Sequence, residues 1–384
     1  MQIQRILKEA GLCYRDQSQP DLVALGQFLR DPEKSLLQSQ IPEKKHTVLF
    51  MVNGLNSALL DQLKDDNVLK NHKQCDLYSV VPTTDLNTMI SFYTGTYPSE
   101  HGILGDYQHL RKENVSYCYT TFLDRINKRD LGIYGLTPQM IYQLPEITPP
   151  LSFKAHTLLP NYIKLDPYLK AILKGQSVSH YQSLTEVYKK VGRILKTSFK
   201  PTTIVVVITE FESLMKQGDL TPSLIEWLEQ FSKTLSELTF KNTNVLVSSF
   251  HGAVRPDASI VLNYSKYNKY FYALPSIEHR MTSFYVREEF QPQFMKEFRL
   301  DYGGLMALFK TEELIKLGIF GPEQELSQYG EFIATNLDNN YLELPLDEEI
   351  YMDSLNHPEF INYISGGMSK EEMLVPLIVL TQDE

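Results

Sequence analysis

Three polar stretches in this chain directly follow apolar runs of strand length: Asn53-Gly54, Glu210 to Lys216 and Ser249 to His251. A fourth, Pro82-Thr83-Thr84-Asp85, precedes Leu86, Met89, Ile90 and Tyr93, apolar residues at helical spacing. Between them these stretches hold the groups that do chemistry. A carboxylate such as Asp85 can act as a covalent nucleophile, and a histidine at a strand end, His251, either ligates a metal or is held by hydrogen bonds. Asp85 is also placed to cap a helix or open its first turn, where the helix dipole favours negative charge, and this structural role is the favoured reading. Ser365, ahead of Gly366-Gly367, suits a turn or anion binding through backbone donors.

These residues need a scaffold that brings them together. Thr47 to Val52, Thr202 to Ile208 and Asn244 to Ser248 are continuous apolar runs, the pattern of parallel strands buried on both faces. Helical segments, including Leu184 to Leu195 and Leu224 to Leu238, lie between them. Strands alternating with helices predict an α/β fold with a mainly parallel sheet between helical layers. Ligands in such sheets sit beyond the carboxyl ends of the strands, so Asn53, Glu210 to Lys216 and Ser249 to His251 are expected in one cleft.

Composition narrows the classes. The 384 residues are 42% hydrophobic and 11% aromatic, ordinary for a globular chain able to bury a large core. A net charge of −10 argues against nucleic-acid polymers and anionic membranes, which select clustered Lys and Arg. Cys13, Cys75 and Cys118 are scattered and lack paired spacing, which suits a reducing cytoplasm. The N-terminal residues have no continuous apolar core of a secretory signal, and no window reaches the roughly 18 apolar residues of a membrane span. A soluble cytoplasmic protein is expected. Tyr264 to Tyr272 is tyrosine-rich and reads as half-buried packing, a partner face or a cap over the cleft.

Longer motifs carry a family resemblance. Pro82-Thr83-Thr84-Asp85, Thr94-Gly95, Tyr97-Pro98 and Glu100-His101-Gly102 follow one another in the first third of the chain. Ile277-Glu278-His279-Arg280, Thr311 to Gly321 and Ser365-Gly366-Gly367-Met368-Ser369-Lys370-Glu371-Glu372-Met373-Leu374-Val375-Pro376-Leu377 follow in the last. Together they resemble the type I phosphodiesterase/nucleotide pyrophosphatase family of the alkaline phosphatase superfamily. The resemblance implies an alkaline-phosphatase-like domain over residues 45–384, with a lid or cap segment about 107–180, preceded by a helical extension and linker over 1–44. His101 is expected to shape the loop.

The same resemblance implies a site in which two zinc ions activate a threonine nucleophile and stabilise charge on a transferring phosphoryl group. In this register the nucleophile position is Asp85. Positions that hold metal in the family fall on Asn53, Glu212, Lys216, Phe250, His251 and Ser365. Only Glu212 and His251 keep ligand character, short of the three or four donors a zinc ion needs, so no cofactor is expected. Lys216 is expected near Asp85 and Glu212, supplying the positive charge that metals would otherwise bring. The chain is therefore read as a pseudoenzyme that binds a phosphorylated ligand or nucleotide, or a protein partner. The alternative is an active metal-dependent phosphodiesterase with an unorthodox site.

Overall fold

The computed structural model describes residues 2–15, 18–142, 144, 154–218, 221–238, 240–344 and 362–381. Seven strands build the central sheet: β1 (His46–Val52), β2 (Lys73–Tyr78), β3 (Lys154–Pro160), β4 (Ser177–Tyr181), β5 (Thr202–Ile208), β6 (Thr243–Ser248) and β7 (Leu374–Thr381). They are ordered β2-β7-β6-β1-β5-β3-β4, and β7 alone runs against the others. The mainly parallel α/β sheet expected from the apolar runs is thus present.

Those runs are uninterrupted because both faces are covered. Along β1, Val48, Phe50 and Val52 join a cluster with Val187, Val191, Leu228 and Phe231, which come from α3 (Leu184–Thr197) and α5 (Thr221–Glu237). Leu49 and Met51 point the other way, to Leu25 and Phe28 of α1 (Leu22–Phe28) and Ile90 and Phe92 of α2 (Asp85–Thr94). With side chains alternating at period two and both faces covered, Val48 to Val52 are apolar without a break. A short helix, α4 (Glu210–Lys216), begins just beyond the end of β5.

The segments expected as an extension and as a lid both make contacts with the rest of the chain. The described part of 1–44 packs closely. Leu22, Val23, Ala24 and Leu25 are buried, Asp21 pairs with Arg15 and Tyr97, and Ser35 donates to the carbonyl of Ala24 at 2.7 Å. This segment helps cover one face of the sheet. The stretch about 107–180 is divided. Tyr107–Leu110, Val115–Cys118 and Leu123–Asp124 join a second, antiparallel seven-stranded sheet. Lys154–Pro160 and Ser177–Tyr181 are β3 and β4 of the central sheet, while 145–153 lie outside the described residues. Short strands of mixed polarity, paired to distant partners, leave no periodicity to read.

In the tyrosine-rich segment Tyr264 and Tyr272 are half-buried, while the residues between them range from exposed to buried. Tyr267, Tyr270 and Phe271 are buried against Phe294 and Phe298, ring to ring at 5.6–6.2 Å. Cys13, Cys75 and Cys118 are free thiols. Among the described residues no helix is long and apolar enough to cross a membrane.

Candidate functional site

The ends of β1, β5 and β6 meet. Beyond β1, the Asn53 N–H continues the ladder to the carbonyl of Ile208 at 2.9 Å, and the Gly54 N–H reaches that of His251 at 3.2 Å. Gly252 donates to the carbonyl of Glu372 at 2.9 Å, and a Cβ on it would lie 1.8 Å from the carbonyl oxygen of Glu371. Only glycine permits so close an approach, and it brings the turn before β7 against the end of β6.

Asp85 enters from α2. Thr84 is the N-cap, accepting the Asn87 N–H at 3.3 Å while its own hydroxyl donates to the carbonyl of Leu104 at 2.9 Å. Asn87 in turn donates to the carbonyl of Pro82 at 2.6 Å. Because Thr84 does the capping, Asp85 occupies the first turn with its carboxylate turned outward. The Asp85 Oδ1 accepts from His251 Nε2 at 2.7 Å. Its side chain remains 55% exposed, against 2% for His251.

The charge state of His251 follows from geometry. Nδ1 lies 2.8 Å from the carbonyl oxygen of Gly252 and Nε2 lies 2.7 Å from a carboxylate oxygen. Both nitrogens face acceptors, so both carry protons and the ring is an imidazolium. Burial opposes this charge, but the Asp85 carboxylate, helped by Glu212, outweighs it and raises the pKa to about 9. Burial likewise works against ionisation of Asp85, and the imidazolium and Lys216 override it, holding the carboxyl well below its ordinary value.

A second pair completes the cluster. One turn of α4 brings Lys216 Nζ to 2.5 Å from Glu212 Oε1. Burial disfavours the ammonium, and the carboxylates of Glu212 and Asp85 more than restore it. Asn53 Nδ2 donates to the other Glu212 oxygen at 3.4 Å, leaving Asn53 Oδ1 buried without a partner among the described residues. Asp85, His251, Glu212 and Lys216 therefore form two opposed, charge-balanced pairs.

Phe250 takes no part in this cluster. It is fully buried and packs edge-on against Phe92 at 5.4 Å, pointing into the core beneath α2. Ser365 is half-buried, and the N–H of the next residue, Gly366, donates to Thr83 Oγ1 at 3.0 Å. The Gly366-Gly367 turn is held from behind. Arg280 and Glu372, both fully buried, form a two-pronged pair at 2.9 and 2.7 Å, and Glu372 also accepts the Gly367 N–H at 2.8 Å. Glu372 of the sequence motif is thus a buttress.

One cleft residue was not singled out from sequence. Glu278 lies between Asp106, Asp85 and His251, and burial followed by the two neighbouring carboxylates lifts its pKa to about 8. It follows Ile277, whose φ of 75° is a strained value for a β-branched residue. No spacing rule pointed to Glu278, because it reaches the cleft through the second sheet.

Residues 47–147 match the family model described as type I phosphodiesterase / nucleotide pyrophosphatase. Over those residues the chain is similar to that family. Murine ectonucleotide pyrophosphatase/phosphodiesterase 5 superposes with a TM-score of 0.55 at 14% identity, covering 87% of each chain. Phosphonoacetate hydrolase from Sinorhizobium meliloti superposes with a TM-score of 0.60 at 13% identity, covering 90% of this chain and 92% of that one. An inactive variant of the murine enzyme, solved in complex with AMP, gives 0.55 at 14% identity over 88% and 87%. These likenesses establish the alkaline-phosphatase-like fold. No curated protein matches significantly.

The family's pair of zinc ions can be weighed against this donor set. Among the described residues no three His, Cys, Asp or Glu side chains are grouped to hold a metal. His251 has both nitrogens committed as donors, and the Lys216 ammonium lies against Glu212, the other candidate ligand. The residues present do not fit a bimetallic zinc centre.

Proposed function

We propose that this chain is a noncatalytic relative of the phosphodiesterases whose cleft binds a phosphorylated small molecule, of which nucleotides are the leading class. The observation that carries this reading is the Asp85–His251 pair. A carboxylate at the attacking position whose charge is committed to a bonded imidazolium is a weakened nucleophile. His251 and Lys216 supply two cations at positions that the resemblance gives to metal ions. Lys216 is 56% exposed and its ammonium is free to turn from Glu212 to an incoming phosphate. That a structural neighbour was solved with AMP supports nucleotides as the first ligands to try. The three free thiols support placing the protein in the reducing cytoplasm.

The test has two readouts on one preparation. Metal content and turnover of bis-nitrophenyl phosphate with added zinc or manganese are measured first, and AMP binding by calorimetry second. The expected result is neither stoichiometric metal nor turnover, with AMP bound and the affinity lowered in Lys216→Ala. About two metals per chain, with turnover lost in Asp85→Ala, would instead make this an active metal-dependent phosphodiesterase with an unorthodox site. Absence of both turnover and nucleotide binding would direct attention to a protein partner.

A further inference from the structure

A cavity lies at the other end of the sheet from Asp85. It measures about 950 Å³ and opens where β1, β5 and β6 begin, under α1 and the segment after it. In-register pairing places Thr203, Thr47 and Asn244 side by side across these three strands. Neighbours in a parallel ladder project to the same face, so the three form a polar row, and all three line the cavity. This row interrupts an otherwise apolar face formed by Leu49, Met51, Val205 and Leu246.

Two groups there lack partners. Asn244 is 1% exposed, and its Nδ2 donates to the carbonyl of Pro42 at 2.5 Å. Its Oδ1 is buried with no hydrogen bond among the described residues. A buried acceptor left unmade is costly, on the order of 1–3 kcal/mol, and such a group calls for a ligand donor. The second is Arg30, whose half-buried guanidinium makes no hydrogen bond or ion pair among the described residues. Burial alone acts on it, lowering its pKa to about 10. Arg30 presents a planar fork suited to a carboxylate. The remaining charges balance nearly: Asp31, Glu33 and Glu43 against Lys44 and Lys45, with Arg30 making the third cation. Arg30, without a carboxylate partner among the described residues, matches a single negative charge. Phe28 and Ile41 provide apolar wall.

We infer that this cavity is a second binding site, for a singly charged organic carboxylate that also carries an N–H or O–H donor. The carboxylate pairs with Arg30, the donor satisfies Asn244 Oδ1, and the threonine hydroxyls take the remaining polar atoms. The site is distinct from the Asp85 cleft and does not rest on how that cleft is read.

The test uses N-acetyl-L-phenylalanine, which has the carboxylate, the N–H and an apolar body, and its methyl ester, which lacks the charge. Binding to the full chain is followed by saturation-transfer NMR and calorimetry at millimolar concentration. The acid is expected to bind and the ester not to. Arg30→Gln is expected to weaken the acid by about tenfold or more, as for the loss of a charged hydrogen bond. Asn244→Leu is expected to weaken it as well; should that variant fail to fold, Arg30→Gln alone decides. No saturation transfer from the acid, equal binding of acid and ester, or unchanged affinity in Arg30→Gln would each overturn the proposal.

Discussion

The chain has two buried His-Gly pairs, and their imidazoles carry opposite charge states. His101 and His251 are 7% and 1% exposed, so burial does not separate them. His101 Nδ1 accepts the Ile103 N–H at 3.1 Å, which leaves the proton on Nε2 to be donated to Ser91 Oγ at 2.9 Å. That ring is neutral, and burial pulls its pKa to about 3. His251 has an acceptor at each nitrogen, one of them the Asp85 carboxylate, and it stays charged to about pH 9. Desolvation discharges a histidine and a carboxylate partner recharges it. The first ring packs a loop; the second is a fixed cation in an open cleft.

The largest expected effect comes from His101. His101→Ala leaves Ser91 and the Ile103 N–H unpaired around a cavity, at a cost of about 2–4 kcal/mol in denaturant unfolding. The pH dependence is set by its lowered pKa: the contribution of His101 is present above its ordinary 6.5 and is lost as pH falls toward about 3. His251 has the opposite sign. Its contribution is complete below 6.5 and disappears as pH rises through about 9. Melting curves of wild type against His101→Gln and His251→Gln should therefore converge in acid for the first pair and in base for the second. Slopes of one sign would break the contrast.

Asp85→Asn comes next. Removing the carboxylate should drop the His251 titration, followed by NMR of its ring protons, below 6.5, and destabilise the protein by about 1–3 kcal/mol at neutral pH. A His251 that still titrates near 9 would place the source of its charge elsewhere. Glu278→Gln should have little effect in mild acid but raise the melting temperature in base. A carboxyl lifted to about 8 loses folding free energy as pH rises from its ordinary 4.5 through that value, and the amide does not. Lys216→Ala has the smallest effect on stability, under about 1 kcal/mol, because the ammonium is more than half exposed. Its consequence should appear in AMP affinity instead.

Much of the scaffold was legible. Thr202 to Ile208 coincides with β5, and the other two apolar runs match β1 and β6 to within one residue at their starts, since strands buried on both faces leave an unbroken apolar signature. The meeting of Asn53, Glu212 and His251 followed from their places after those strands. The second sheet was not legible, because Tyr107–Leu110 and Met281–Phe284 are short, polar in part and joined through partners far away in sequence. Glu278 was hidden for the same reason. The burial of Phe250 beside the exposed face of Asp85 depended on which way two adjacent residues turn at the end of β6.

The residue types at the cleft are a property of the sequence alone: a carboxylate at Asp85, an amide at Asn53, an ammonium at Lys216 and a single imidazole at His251. So is the parallel order implied by apolar runs alternating with helices. Only the tertiary structure decided which of these groups pair and which are charged. Charge state depends on the distance between side chains 166 positions apart, as Asp85 and His251 are, and on how much water each retains. Local sequence encodes neither quantity.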